Sequence, residues 1–226
     1  SYVLNCLDFA HKLALNDDVL GLINCAIDKS LFSKKNIGVT EYLATKCGLS
    51  NKSEVMMIKN DQLAVCPITT HLDIKNVSQN IKSKTIITKI KTIQQSLKKM
   101  VKKKPKIGVL GLNPHNGELK KKTEEITEII PAIKYLKNLG FNINGPLAAD
   151  SVFINDYKNY DIIVGMYHDQ VLTPFKTLFK FDAINITLGL KYFRASPDHG
   201  VEKNIIKKNK ADPESLIKAI KYINNL

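Results

Sequence analysis

Residues 161–170, Asp-Ile-Ile-Val-Gly-Met-Tyr-His-Asp-Gln, decide the predicted fold. A nearly continuous apolar run of strand length ends abruptly in polar residues, which is typical of a parallel strand that is buried on both faces. In sheets of this kind the functional residues lie at the carboxyl ends of the strands. The stretch therefore predicts a strand over residues 160–167 with His168 at its functional end.

Segments of strand and helix character alternate along the rest of the chain, and no repeat, flexible linker or low-complexity tract interrupts them. This order predicts an α/β fold in three layers, α/β/α, with a mostly parallel sheet. It shows no boundary, so residues 1–226 are interpreted as a single α/β unit. The further predicted strands cover residues 19–27, 54–58, 62–70, 107–112 and 183–190, and the predicted helices cover residues 2–15, 85–101, 123–139 and a last segment with Asp212 as N-cap and Pro213 as its first residue.

Composition narrows the class of protein. The net charge is +13, but the excess is mostly lysine without the aromatic or zinc-finger motifs of nucleic-acid binders, so we expect no nucleic-acid partner. No run approaches the roughly 20 apolar residues of a membrane helix, and no signal peptide opens the chain. The four cysteines form no C-x-x-C pair and are expected to be free, buried thiols. We expect a cytoplasmic protein that does not bind membranes.

Three of the five histidines follow predicted strands: His71, His115 and His168. Strand ends in a parallel sheet share one edge, so these imidazoles could converge there on one divalent metal ion. Taken singly, each could instead be a loop residue bonded to the backbone. Taken together, they indicate a metalloenzyme.

A three-histidine site would suit either of two reactions. A metal-dependent hydrolase would use the cation to generate hydroxide, and a dehydrogenase would use it to stabilise an alkoxide while a nicotinamide accepts hydride. Neither the G-x-G-x-x-G nor the P-loop motif is present. The residues alone leave both reactions open, with a basic nucleic-acid-binding module as a third and more distant reading.

A set of motifs adds information that spacing does not contain. In order along the chain, they resemble the 4-hydroxythreonine-4-phosphate dehydrogenase family of pyridoxal phosphate (vitamin B6) biosynthesis. The resemblance implies two interleaved subdomains related in fold to isocitrate and isopropylmalate dehydrogenases, which bind NAD without the usual glycine motif. It also implies a homodimer with a shared active site. The motifs occupy residues 24–29, 40–44, 69–71, 111–118, 145–150, 166–170, 185–190 and 194–200.

The resemblance assigns roles to individual residues. It implies NAD or NADP as cofactor, a divalent metal such as Zn, Mg, Co or Mn, and oxidation with decarboxylation of a small phosphorylated substrate, 4-phosphooxy-L-threonine, to 3-amino-2-oxopropyl phosphate. The implied metal ligands are His71, His115 and His168. The implied substrate contacts are Thr40, Lys176, Asn185 and Arg194, and Asp150 and Asp169 are candidates for a proton acceptor or for orienting a ligand imidazole.

Two departures from the family pattern are visible. Val39 stands where the family has histidine in Gly-His-Thr-Glu, which makes 4-phosphoerythronate or phosphothreonate an alternative substrate. A long segment that begins family members has no counterpart before Ser1. We therefore expect this chain alone to be less stable and less active than a full-length relative.

Overall fold

The computed structural model describes residues 1–32, 38–49, 53–101 and 104–225. Within these residues, eight strands form one sheet in the spatial order β1-β8-β7-β2-β3-β6-β4-β5. The strands are β1 Gly21–Ile23, β2 Val55–Lys59, β3 Ala64–Thr69, β4 Ile107–Leu110, β5 Ile143–Leu147, β6 Ile162–Tyr167, β7 Ile184–Leu188 and β8 Phe193–Pro197.

The sheet has a parallel half and a mixed half. Strands β3, β6, β4 and β5 run parallel to one another, and β1 runs parallel to β8. The neighbours β2 and β3, β2 and β7, and β7 and β8 pair antiparallel. Because β3, β4 and β6 point the same way, the loops that carry His71, His115 and His168 leave from the same edge of the sheet.

Helices cover both faces. On one face, α4, α5 and α8 pack on a fully buried core that includes Met57, Ile90 and Val164, and on the other, α7 and α6 pack on a second core that includes Ile58, Val65 and Phe175. Consecutive residues Met57 and Ile58 face opposite sides, as the period of two in a strand requires. The helices are α1 Tyr2–Leu15, α2 Val39–Lys46, α3 Val77–Asn80, α4 Ser83–Val101, α5 Ile130–Asn138, α6 Ala149–Val152, α7 His168–Phe179 and α8 Glu214–Asn224.

The predicted three-layer α/β/α fold with a mostly parallel sheet is confirmed. A third apolar cluster joins α1 and α2 to β1 through Leu7, Leu22 and Leu43. The structure does not test the division into two subdomains, which stays a prediction. Within the described residues, no helix combines the length and the apolar character that crossing a membrane requires.

Some predicted boundaries differ from the structure. The strand predicted over residues 19–27 is only Gly21–Ile23, and the helix predicted over 123–139 begins with a π-helical turn at Glu125–Ile129 before α5. Asp212 is not the N-cap of α8, which begins at Glu214. Its carboxylate instead accepts a hydrogen bond from the backbone N–H of Glu214 at 2.8 Å.

Candidate active site

A cleft with a volume of about 640 Å³ opens on the α7 face of the sheet. Its floor is polar because alternate residues of adjacent strands face it: Asn185 of β7, and Arg194 and Ser196 of β8. Thr40, at the start of α2, and Lys176, in α7, form parts of its walls. The four predicted substrate contacts, Thr40, Lys176, Asn185 and Arg194, therefore line one cleft.

Two of the three predicted metal ligands meet at the edge of this cleft. His71 lies two residues beyond the end of β3, His168 is the first residue of α7, and their ring centroids are 6.1 Å apart. Each ring presents Nδ1 to a carboxylate. The distances are 3.6 Å from His71 to Glu41 Oε1 and 2.6 Å from His168 to Asp169 Oδ1. Carboxylates on this side of the rings leave Nε2 available as a metal donor, which is the arrangement that orients ligand histidines in metal sites.

Glu41 connects this edge to α2. Its Oε2 accepts a hydrogen bond from the backbone N–H of Gly38 at 3.0 Å, which caps the first turn of α2. Burial raises the pKa of Glu41, but the neighbouring His71 and backbone N–H groups lower it by more, so its pKa lies below its usual range. One carboxylate thus fixes both the helix that carries Thr40 and the loop that carries His71.

His115 lies outside this cleft. Its Nε2 is 3.6 Å from Asp150 Oδ2, and its side chain is 73% exposed. Among the described residues, no group of three histidine, cysteine or acidic side chains is arranged to hold a metal ion. The three imidazoles that were expected to converge therefore do not do so within a single chain. His71 and His168 come together, whereas His115 and Asp150 form a separate pair.

The loop that carries His115 has an unusual backbone. Residues 115–118 all have positive φ, between 48° and 62°, although only Gly117 among them lacks a side chain. Such conformations persist only where the surroundings hold them. The entry to the loop is held by Glu125, whose fully buried carboxylate accepts hydrogen bonds from the backbone N–H groups of Leu112 and Asn113 and from the Asn113 amide. Burial raises the pKa of Glu125, and these hydrogen bonds bring it below its usual range.

Arg194 is the most deeply buried cation of the cleft, with 4% of its surface exposed. Its Nε donates to Asn24 Oδ1 at 2.8 Å and its Nη1 donates to Thr187 Oγ1 at 3.0 Å. Thr187 Oγ1 is in turn 3.3 Å from Thr40 Oγ1. Burial lowers the pKa of Arg194 to about 10, so the guanidinium stays charged at neutral pH.

Lys176, in the wall formed by α7, is a second cation of the cleft. Lys176 Nζ lies 3.0 Å from Asp198 Oδ2, and Asp198 is itself buried. Burial raises the pKa of Asp198 above its usual range, while the Lys176 ammonium acts against that shift. On the floor, Asn185 Oδ1 is buried and has no hydrogen-bond partner among the described residues. A buried amide oxygen without a donor is costly, which favours a ligand that supplies one.

Sequence reasoning missed several residues that organise the site: Asn24, Glu41, Glu125, Thr187 and Asp198. Glu41 had a signal, because it lies three residues after Gly38 at the start of a helix, the position of a capping glutamate. The others act through contacts between residues far apart in sequence. Asn24 and Arg194, for example, are 170 residues apart, and no local pattern relates them.

Comparison with known proteins places the chain in a family. A family model described as pyridoxal phosphate biosynthetic protein PdxA matches residues 1–223. The chain belongs to this family. It is 42% identical over 221 residues to a 4-hydroxythreonine-4-phosphate dehydrogenase of Sulfurihydrogenibium sp. and 39% identical over 217 residues to that of Aquifex aeolicus, alignments that cover 95% and 94% of this chain.

Solved structures agree with this assignment. A putative 4-hydroxythreonine-4-phosphate dehydrogenase from Salmonella typhimurium superposes with a TM-score of 0.84 at 34% identity, covering 98% of this chain and 68% of that chain. The chain spans 67% of the length of each of the two relatives named above. The family, the fold class and the oxidoreductase function predicted from the sequence are confirmed: the chain is a member of a dehydrogenase family of pyridoxal phosphate biosynthesis.

Proposed function

We propose that this chain catalyses the NAD(P)⁺-linked oxidation of 4-phosphooxy-L-threonine. The secondary alcohol loses a proton to a base and a hydride to the nicotinamide, and the resulting β-keto acid loses CO₂ to give 3-amino-2-oxopropyl phosphate. The observation that carries this proposal is the arrangement of the cleft, where the buried Arg194, the half-buried Lys176 and two histidines share one polar cleft. The substrate carries two anionic groups, and the cleft offers Arg194 and Lys176 as their charge partners.

The proposed substrate contacts follow from these side chains. Arg194 presents a planar fork suited to a phosphate or carboxylate, and Lys176 presents a point charge held by Asp198. Thr40 supplies a hydroxyl close to Thr187. Asn185 Oδ1 is a free acceptor for the amino or hydroxyl group of the substrate. These groups bind and orient the substrate beside His71 and His168.

We further propose that His71 and His168 of one chain hold a divalent cation together with His115 of a second copy in a homodimer. Imidazole nitrogens suit zinc, cobalt and manganese, and magnesium remains a candidate with added oxygen ligands. When bound, the cation supplies positive charge that stabilises the alkoxide oxygen of the substrate. The exposure of His115, away from the cleft of its own chain, supports a role in trans. Leu119 and Ile154, 56% and 70% exposed, are apolar residues close in sequence to His115 and Asp150 and are suited to a contact between copies.

The two aspartates receive matching roles in this proposal. Asp169 orients His168, which it contacts directly, and Asp150 orients His115. Either carboxylate remains the candidate proton acceptor. We place the reaction in the cytoplasm, a location supported by four free thiols, of which Cys6 and Cys25 are exposed rather than buried as expected. The proposal includes neither a nucleic-acid nor a membrane partner.

The alternative substrates 4-phosphoerythronate and phosphothreonate deserve a direct comparison, because half-buried Val39 lines the cleft beside Thr40. The test is NADH or NADPH formation by the 226-residue chain with each of the three substrates, for the wild type and for Val39→His. We expect the highest kcat/KM with 4-phosphooxy-L-threonine and a further rise in Val39→His. A higher kcat/KM with either alternative would reassign the substrate. Turnover of the phosphorylated substrate without any nicotinamide would favour the metal-dependent hydrolase instead.

A further inference from the structure

Arg194 is the only arginine among the 34 basic residues of the sequence, and within the described part of the chain no carboxylate lies at ion-pair distance from it; the charge of Glu41 acts on the guanidinium from farther away and raises its pKa. Its two hydrogen-bond acceptors, Asn24 and Thr187, are both neutral. The salt bridges between described residues all involve lysine or histidine. The residues outside the described part include no aspartate or glutamate. An arginine with only 4% of its surface exposed is thus left without an acidic side chain at ion-pair distance.

Burying a charge without a partner at ion-pair distance is unfavourable, so this arrangement needs an explanation. Asn24 and Thr187 hold the Nε and Nη1 atoms, and Nη2 makes no hydrogen bond within the described residues. Arg194 and Asn24 both line the cleft. The planar guanidinium is therefore fixed on one side by neutral acceptors, while its remaining donors can serve an occupant of the cleft.

We propose that Asn24 is a positioning residue, which orients Arg194 as a neutral acceptor and so reserves the arginine charge for an anionic group of the substrate. Thr187 assists as a second neutral acceptor and links Arg194 to Thr40. This inference rests on the proposed function for the identity of the substrate. The anionic group that faces Arg194 is a phosphate or a carboxylate, which share the ability to accept two parallel hydrogen bonds.

The variant that isolates this role is Asn24→Asp. Aspartate has nearly the same shape and still accepts the hydrogen bond from Nε, but it gives Arg194 an internal counter-ion and loses the hydrogen bond that Asn24 Nδ2 donates to the Cys25 carbonyl at 2.9 Å. We expect the variant to fold, with a melting temperature close to that of the wild type, because the new ion pair offsets the lost hydrogen bond. We expect the Kd for 4-phosphooxy-L-threonine, measured by calorimetry, to increase by at least about tenfold, because an internal carboxylate competes with the substrate anion. A merely structural role for Asn24 predicts no such loss of affinity in a folded variant.

Two fragments identify the anionic group. Inorganic phosphate and L-threonine each retain one anionic group of the substrate, and we expect Asn24→Asp to weaken binding of only the fragment that occupies Arg194. An unchanged Kd for the complete substrate in folded Asn24→Asp would overturn the inference. If Asn24→Asp does not fold, Thr187→Val and Thr187→Ser provide the test, since Val removes the hydroxyl that accepts the Nη1 hydrogen bond of Arg194 and Ser keeps it. We expect Thr187→Val to bind 4-phosphooxy-L-threonine more weakly than the wild type and Thr187→Ser to bind it as the wild type does. Equal affinities of the two variants would contradict the inference.

The proposed reaction and the role of Asn24 can fail independently, and turnover by the wild type tests the reaction. Wild-type turnover of 4-phosphooxy-L-threonine with NAD(P)⁺, combined with an unchanged Kd in Asn24→Asp, would overturn this inference alone. Anion binding that Asn24→Asp weakens, without turnover by the wild type, would support the role of Asn24 and count against the proposed reaction. A wild-type chain that neither binds the substrate nor oxidises it would overturn both.

Discussion

The cleft around Arg194 and the loop that carries His115 belong to the same sheet, but only the cleft has its proposed functional groups assembled within one chain. The cleft is assembled within one chain, from β7, β8, α2 and α7; Arg194 is buried and fixed by two hydrogen bonds, and the half-buried Lys176 is paired with the buried Asp198. The loop has four consecutive residues with positive φ and presents an exposed histidine away from that cleft. The difference teaches that the groups proposed to recognise the substrate come together in one folded chain, whereas the proposed metal centre requires an assembly.

The largest expected effect comes from replacing one histidine on each side of this comparison, His168 at the cleft and His115 on the loop. His168→Ala and His115→Ala should both abolish metal binding and lower kcat/KM by at least about a hundredfold, because each removes a proposed ligand. Metal content per chain and NADH formation measure this. Lys121→Ala, an exposed neighbour on the same loop, is the control and should resemble the wild type. Normal metal content in His115→Ala would show that His115 is not a ligand of the proposed metal centre.

A smaller effect is expected at the cleft, where Glu41 contacts His71. Glu41→Gln keeps an oxygen that can cap α2 but loses the charge that faces His71, so metal affinity should fall by about 10- to 100-fold. Glu41→Ala should lose a similar factor in metal affinity and, in addition, about 1 kcal/mol of unfolding free energy, because the cap is gone. Metal titration and thermal unfolding separate the two roles. Equal metal affinity in the wild type and Glu41→Gln would limit Glu41 to capping.

How much of this could be predicted from the sequence depends on the range of the interaction involved. The hairpin of β2 and β3 and the strand β6 were predictable, because their apolar runs and the turn at Asn60 and Asp61 are local signals. Strands β5 and β8 were not predicted, since they contain residues such as Pro146 and Arg194 that do not indicate a buried strand.

The site shows the same division. The resemblance supplied Thr40, Lys176, Asn185 and Arg194, and the structure brings them together in one cleft. Neither spacing nor resemblance indicated that a neutral Asn24 would face the arginine. The separation of His115 from His168 was equally invisible, because strands that share a sheet edge do not fix where their loops point.

The last expected effect is on stability and concerns Glu125, which anchors the loop that carries His115. Glu125 has a pKa below its usual range, so its contribution to stability is complete above the unfolded-state value of about 4.3 and is lost as the pH falls through the lower folded-state value. Glu125→Gln should cost about 1 to 3 kcal/mol at neutral pH and flatten the acid limb of the stability curve. Denaturant unfolding between neutral and acid pH measures this.

The matched control for Glu125 is Glu118→Gln, on the same loop but exposed. It should change the unfolding free energy by no more than about 0.5 kcal/mol at any pH. An equal effect of the two substitutions would mean that the buried carboxylate does not anchor the loop that carries His115.

The most direct test of the central claim is complementation between His115→Ala and His168→Ala. When the two variants are mixed, unfolded and refolded together, each mixed dimer contains one site with His71 and His168 from one chain and His115 from the other. We expect metal binding and dehydrogenase activity to return to about a quarter of the wild-type level, because half of the dimers are mixed and each has one intact site. Mixed dimers that form but recover neither metal nor activity would contradict the account.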